Sequence, residues 1–277
     1  MYTLNCNGRL LVIDKPIIMG IINANPDSFF KESRHPNVIN AVKQAQKMVK
    51  DGAGIIDIGG QSTHPASTMQ SATTEIERII PIIVEIRKTL PDIFISVDTF
   101  YADVAKAAVE AGADMVNDIS GGNLDANMFT TVAKLNVPFI CMHMRGTPQT
   151  MQQFTSYEDI GVDVLDYFIQ TTTSAKAAGI KDIIIDPGIG FSKSIQQNFL
   201  LIKKLSVFNL LRMPILIGIS RKSFLYKTIQ KENADDALNA TTAMHMVALL
   251  NGASILRVHD VAAAKECIHL FQAYKAS

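Results

Sequence analysis

The sequence predicts one α/β domain over residues 1–277, a (β/α)8 TIM barrel preceded by a short N-terminal β-hairpin. Three observations carry that expectation. Eight short apolar runs alternate with helical patterns along the chain. The runs are apolar almost throughout rather than at every second position, as in parallel strands covered on both faces. No linker rich in Pro, Gly or Ser and no low-complexity tract interrupts the alternation. The competing class, a doubly wound open sheet, lacks its GxGxxG turn after the first strand.

The elements follow in order. TLNC, the pair Asn7-Gly8 and RLLVID read as a hairpin within residues 1–15 that caps the barrel, since both turn residues tolerate positive φ. Eight barrel strands are expected at 17–22, 55–59, 94–98, 115–118, 138–142, 183–186, 215–219 and 255–258. Helical patterns fill the gaps. Residues 39–50 carry Ala41, Val42, Ala45, Met48 and Val49 at three- and four-residue spacing, with lysines between. Residues 101–111 and 237–250 repeat that pattern and stop near Gly112 and Gly252. Pro81 lies inside the pattern from Glu75 to Leu90 and predicts a kink or a late helix start.

Composition excludes several classes. Lysine plus arginine equals aspartate plus glutamate at 26 each, without blocks of like charge, which argues against a nucleic-acid binder. No apolar run approaches a membrane span, and MYTLNCNGRLLVIDKP lacks a signal-peptide pattern. Cys6, Cys141 and Cys267 are odd in number and scattered, so a reduced, cytoplasmic protein is expected.

In such a barrel the strands' C-terminal ends build the active site, and here every strand ends in a polar or charged group. In chain order these are Asn23; Gln61, Ser62, Thr63 and His64; Asp98; Asn117 and Asp118; His143; Asp186; Ser220, Arg221 and Lys222; and Arg257, His259 and Asp260. Loops need polar residues, but not an acid, amide or cation at each strand terminus. Asp98, Asn117, Asp186 and Lys222 offer neighbouring donors and acceptors suited to a flat heterocycle rich in N–H and ring nitrogen. Arg221, Lys222, Arg257 and His259 come from the last two strands, where such barrels often hold phosphate. Gly188 and Gly190 leave room for a ligand above the sheet, and Phe191 can stack on a ring. Taken singly, Asp98 or Asp186 is equally a helix cap, Arg257 a structural ion pair and His143 a packed histidine. His35, His245 and His269 fall on loop or helix patterns and receive no role. Cys141 and His143 lack a further soft ligand nearby, so no structural zinc site is expected. Met142 and Met144 either pack or flank a bound ring.

Together the segments NANPDSF, DIGGQSTHP, SVDT, NDISGG, MHMRGTPQTMQ, DPGIGFSK, GISRKSF and RVHD resemble the dihydropteroate synthase family, in the family's order, from about Pro16 to Val261. The resemblance implies a (β/α)8 barrel, a homodimer and a target of sulfonamides. It implies a reaction that joins dihydropterin diphosphate to p-aminobenzoate and releases diphosphate. It assigns the pterin pocket to Asp98, Asn117, Asp186 and Lys222, with Ile119 and Met142 as apolar walls. Asn23 is implied to hold Mg²⁺ and the diphosphate, which Thr63, Arg257 and His259 also bind. Thr63, Pro65, Gly190, Phe191, Lys222 and Ser223 border the p-aminobenzoate site. Asp98, Lys222, Arg257 and His259 carry the catalysis, without a protein nucleophile.

The chain departs from the family in the loops implied to close over the second substrate. It has His64 where the family commonly has Arg, Gln61 where Glu is usual, and Asn25 for Thr. Lys31 falls near a position that is commonly acidic, and Lys31 or Arg34 can replace the lost cation. A protein that binds pterin but has lost catalysis is a rival reading resting on those loops. A pterin-dependent methyltransferase is another, but it is not expected to carry the SRK and RVH segments together. A Schiff-base aldolase using Lys222 is possible from the barrel alone.

Overall fold

The computed structural model describes residues 1–24, 34–61 and 69–277, with side chains from residue 38 onward in the first helix. The hairpin pairs β1 (Tyr2–Cys6) antiparallel with β2 (Arg9–Ile13), from Tyr2 opposite Ile13 to Cys6 opposite Arg9. Its turn has φ 53° at Asn7 and 84° at Gly8, the left-handed pair that a two-residue turn matching strand twist requires.

Eight parallel strands follow among the described residues: β3 (Ile17–Asn23), β4 (Ile55–Gly59), β5 (Phe94–Asp98), β6 (Met115–Asp118), β7 (Phe139–Met142), β8 (Ile183–Asp186), β9 (Leu216–Ile217) and β10 (Ile255–Val258). Their order is β8-β7-β6-β5-β4-β3-β10-β9. A parallel bridge between Ile185 and Ile215, with Ile185 N–H donating to the Pro214 carbonyl at 3.0 Å, joins the two ends and closes the barrel. The β9 ladder is shorter than its apolar run, since only Leu216 and Ile217 pair with β10 before the chain turns off at Gly218.

Helices cover the outside: α1 (Arg34–Asp51), α2 (Ala72–Thr89), α3 (Ala102–Glu110), α4 (Met128–Leu135), α5 (Ile160–Ala177), α6 (Ile195–Lys203), α7 (Ser223–Thr228), α8 (Leu238–Leu250) and α9 (Val261–Ala276). The expectation of one helix per strand changes between β9 and β10, where α7 and α8 both lie. The late start expected at Pro81 is not found. Ser71 caps α2 by accepting from Thr74 N–H, and the helix runs through Pro81. Proline has no N–H for the ladder, but buried Ile79, Ile82, Ile83 and Ile86 hold both sides of it on the core.

Two apolar layers result. One lies between strands and helices. The other is the barrel floor, where Leu4, Cys6, Leu11 and Ile13 of the hairpin pack on Met19, Ile55, Met115, Ile140, Ile184, Leu216 and Ile255. An ionic network fastens the same end. Asp114, 3% exposed, takes two 2.8 Å bonds from Arg9, one of 2.5 Å from Arg87 and one of 2.7 Å from Ile95 N–H. Among the described residues no helix is long and apolar enough to cross a membrane, and the three cysteines are free and buried.

Candidate active site

The strand period of two carries the floor upward into the site. Ile55 of the floor leads to Asp57, Met115 to Asn117, Ile140 to Met142, Ile184 to Asp186 and Ile255 to Arg257. Each of these is the second residue above an apolar floor position, so the polar groups collect at one level inside the barrel. Asp98 closes the C-terminal end of β5, four residues after Phe94 and in register with Asn117.

At the centre, Arg257 bridges two carboxylates. Its Nε donates to Asp57 Oδ2 and its Nη2 to Asp98 Oδ2, both at 2.6 Å. Asn117 donates to the same Asp57 oxygen at 3.1 Å. The other oxygen of Asp57, which is wholly buried, has no hydrogen-bond partner among the described residues. Burial raises the pKa of Asp98, against the pull of Arg257 and with the push of Asp57. Burial also works against the charge of Arg257, but Asp57 and Asp98 outweigh it and hold that pKa above its usual value. Asp186, 6% exposed, is raised by burial against the pull of Lys222, while its Oδ1 accepts from Gly188 N–H at 2.8 Å. Burial brings Lys222 down to about 8 despite Asp186, with Arg257 adding to the fall. The site therefore holds three acids against two cations, with one acid oxygen left unpaired.

Around this centre lies an apolar wall in which Ile119, Met142, Met144, Met151 and Phe100 form one buried cluster, with Phe191 and Tyr101 at its edge. Lys222 bonds the Ile189 carbonyl and sits 4.3 Å above the Phe191 ring. A Cβ on Gly190, whose φ is +86°, would meet the Lys222 stem at 2.8 Å. The glycine thus clears the lysine. Ser223, exposed, begins α7 directly after Lys222.

The turn from Pro187 to Ser194 is held at almost every residue. Buried Lys193 donates to the carbonyls of Gly188 and Phe191 at 2.9 Å each, and its Nζ lies 3.0 Å from His143 Nδ1. Gly190 N–H donates to Asn198 at 2.6 Å. Ser192, at φ 49°, accepts from Arg145 N–H through its hydroxyl at 3.0 Å and from the Tyr157 hydroxyl through its carbonyl at 3.0 Å. His143 is 1% exposed, so it is a packed histidine; burial and then Lys193 push its pKa well below the usual value.

At the last strand end, His259 N–H donates to Ser220 Oγ at 3.2 Å, and Nδ1 lies 3.1 Å from the same hydroxyl. His259 keeps solvent access, yet partial desolvation and the cations Arg257 and Arg221 lower its pKa. Arg221 differs from its expected place among phosphate-facing groups: it is tied to Asp260 at 2.9 and 2.7 Å and to Asp235 at 2.5 Å. Asp118 serves its own loop, accepting from Ser120 N–H and hydroxyl and from Gly122 N–H. Asn23, exposed, ends β3 at the mouth. Gln61 bonds both N–H and carbonyl of Gln70, at 3.0 and 2.9 Å, and donates to Glu75 at 2.8 Å. Asn25, Lys31, Ser62, Thr63, His64 and Pro65, and the side chain of Arg34, lie outside the described residues.

Strand-end reasoning missed three groups. Asp57 sits mid-strand in IIDIG, where one acid in a buried apolar run is itself a signal. Lys193 follows the glycine turn, and nothing local distinguishes it from a surface lysine. Glu75, wholly buried and raised by burial to about 7, lies in the first turn of α2.

The sequence profile of the family described as "Pterin binding enzyme" matches residues 19–259. The chain is 44% identical over 248 residues to the dihydropteroate synthase of Synechocystis, covering 89% of this chain and 86% of that one. Its fold superposes with a TM-score of 0.92 on the Xanthomonas albilineans dihydropteroate synthase solved with 4-aminobenzoic acid, at 36% identity over 99% of this chain and 98% of that one. The Yersinia pestis dihydropteroate synthase in a sulfonamide complex gives a TM-score of 0.93 at 33% identity over the whole of both chains.

Proposed function

The chain belongs to the pterin-binding enzyme family, and on that premise we propose that it catalyses the dihydropteroate synthase reaction. It joins 7,8-dihydropterin-6-ylmethyl diphosphate to p-aminobenzoate and gives 7,8-dihydropteroate and diphosphate. The observation that carries this reading is the excess of buried acceptors at one level of the barrel. Asp57 has an unpaired oxygen, and Asp98, Asn117 and Asp186 stand beside it over the wall of Ile119 and Met142. An unpaired buried carboxylate oxygen is costly, and a pterin edge brings the N–H donors that satisfy it.

The chemistry follows from charge. Breaking the methylene C–O bond sends its electron pair to diphosphate and leaves positive charge spread over the pterin. Asp98 and Asp186 face that cation, and Asn117 and Lys222 fix the ring's orientation. Arg257 and His259 take the departing anion, with the exposed Asn23 at the mouth. Burial and the nearby cations lower the His259 pKa; a diphosphate next to it offsets the cations, so the ring is more readily protonated and positive beside the departing anion. The aniline nitrogen of p-aminobenzoate then attacks the methylene and loses a proton. Gly190, Phe191, Lys222 and Ser223 border that second substrate. Positioning and charge stabilisation supply the acceleration, and no side chain forms a covalent intermediate.

Asn23 suits Mg²⁺ in one respect: it offers an exposed neutral oxygen where the diphosphate lies. Among the described residues no three acids, histidines or cysteines gather as a protein cage. That fits an ion held chiefly by substrate phosphates and water. When bound, Mg²⁺ neutralises charge on the leaving diphosphate. Sulfonamides, as p-aminobenzoate analogues, compete at the Phe191 side. The exposed Val247 and Leu250 of α8 suit pairing with a second copy. A cytoplasmic place agrees with three unpaired cysteines.

The test is incubation with dihydropterin diphosphate, p-aminobenzoate and Mg²⁺, with mass spectrometry for dihydropteroate. Product is expected, and none without p-aminobenzoate or in Asp98→Ala. Absence of product while the pterin still binds by calorimetry overturns the reading in favour of a non-catalytic pterin-binding protein.

A further inference from the structure

We propose that Lys193 is a positioning residue for the second substrate, holding the turn that presents Gly190 and Phe191 by gathering two carbonyls of that turn and the ring of His143. The inference rests on the proposed reaction. Lys193 is 4% exposed, and burial works against its charge, as do the cations Lys222 and Arg145, while Asp186 favours it. Its Nζ donates to the Gly188 and Phe191 carbonyls, at 2.9 Å each, and lies 3.0 Å from His143 Nδ1. Burial lowers the Lys193 pKa well below its usual value, and a neutral amine still has two N–H donors for the two carbonyls and a lone pair for His143 Nδ1–H. A lysine buried only for packing does not need such a set, and a lysine buried without one is costly.

The geometry of the turn explains why an anchor is needed. Gly188 has φ +67°, Gly190 +86° and Ser192 +49°, so three left-handed residues alternate within five positions. Ser192 pays no glycine's freedom of backbone and sits in a region that L side chains seldom adopt. A Cβ on Gly188 would stand 2.0 Å from the His143 carbonyl, so the turn is pressed against the end of β7. Lys193 spans that contact from below, tying the first and fourth residues of the turn to His143. The Phe191 ring and the Lys222 ammonium above it, 4.3 Å apart, are placed by the same turn. By contrast Asp57, Asp98, Asn117 and Arg257 are set by strands β4, β5, β6 and β10 and their mutual bonds. Asp186 and Lys222, which also face the pterin, touch the turn at Gly188 N–H and the Ile189 carbonyl. Loss of the anchor is therefore expected to loosen the p-aminobenzoate side more than the pterin side.

The contact also holds a proton. Burial keeps the His143 ring neutral, and one proton lies between its Nδ1 and Lys193 Nζ: an ammonium donates to a bare Nδ1, an amine accepts from Nδ1–H.

The experiment is steady-state kinetics of Lys193→Met, which keeps the apolar length and removes the donors. KM for p-aminobenzoate is expected to rise at least tenfold while KM for dihydropterin diphosphate stays within threefold. Lys193→Gln, which retains donors on a shorter stem, is expected to fall between Met and wild type. Equal KM values in Lys193→Met and wild type, or a parallel rise for both substrates, overturn the inference. Should neither variant fold, ¹⁵N NMR of the wild-type protein decides: a scalar coupling across the Lys193 Nζ–His143 Nδ1 hydrogen bond supports the anchor, and its absence with both nitrogens assigned removes it. Wild-type protein that makes no dihydropteroate instead defeats the reaction itself, so the two failures are distinct.

Discussion

The barrel carries an arginine–carboxylate network at each end, and the two are built to opposite plans. At the floor, one carboxylate, Asp114, lies between two guanidiniums, Arg9 and Arg87, and also accepts from Ile95 N–H. At the mouth, one guanidinium, Arg257, lies between two carboxylates, Asp57 and Asp98. Both Asp114 oxygens are satisfied, whereas Asp57 keeps one buried oxygen with no partner among the described residues. A closed network joins elements, here hairpin to barrel. An open one stores unmet hydrogen bonding that a ligand can complete. The difference separates a structural ion cluster from a site without appeal to sequence motifs.

The largest expected effect comes from breaking the open network. Arg257→Met should cost about 10³-fold in kcat/KM with the fold retained by circular dichroism, as expected when charge stabilisation of a leaving group is lost. Arg257→Lys should recover little, because an ammonium cannot fork between two carboxylates. Near-wild-type turnover in either variant would make the mouth network structural like the floor.

Breaking the closed network should do the reverse. Arg87→Met should lower stability by about 2 kcal/mol in urea titration, since Arg9 still holds Asp114. Both KM values and kcat should stay within twofold. A change in kinetics without a change in stability would join the two ends of the barrel in one function.

The mouth should also titrate where the floor does not. Burial raises Asp98, so it takes a proton well above the usual carboxylate range as pH falls, and kcat/KM should drop on that side. Lys222, lowered by burial to about 8, loses its proton as pH rises through that value, giving an alkaline limb. Asp98→Asn should abolish the acid limb and keep the alkaline one. A profile unchanged by that substitution would assign the limb elsewhere.

The smallest effect concerns a buried group outside both networks. His245 in α8 is 2% exposed, its Nε2 has no partner among the described residues, and burial lowers its pKa from 6.5 to about 4. The unfolded ring gains a proton first as pH falls. The stability of the neutral ring is thus full above pH 6.5 and lost progressively down to about 4. The loss amounts to at most about 3 kcal/mol. His245→Leu should flatten that part of the stability curve and leave the kinetic limbs alone. A curve of unchanged slope would remove His245 as its source.

The sequence was most legible where a local rule fixes the outcome. The Asn7-Gly8 turn lies where paired positive φ is required, and the apolar runs became strands with ends within one residue for most of them. The polar group at each strand end was equally plain. Less legible was what each group does there. Arg221 looked like a phosphate ligand and is bound to Asp260 and Asp235; Arg257 looked like either an ion pair or a site residue and is in the ion pair of the site. Pro81 predicted a kink or a late start; the late start is not found, because four buried isoleucines hold α2 on the core through it.

By itself, then, the sequence determined the barrel, its hairpin and the level at which the chemistry lies. These depend on period, turn residues and apolar runs, all of which act over a few residues. The tertiary structure alone decided which polar groups are satisfied and which are left open. Asp57 meets Arg257 across 200 residues of chain, and Lys193 meets His143 across 50. Such pairings depend on barrel closure, which brings every strand end into one small volume of low dielectric, where a partner gained or missing changes a group's charge and therefore its chemistry.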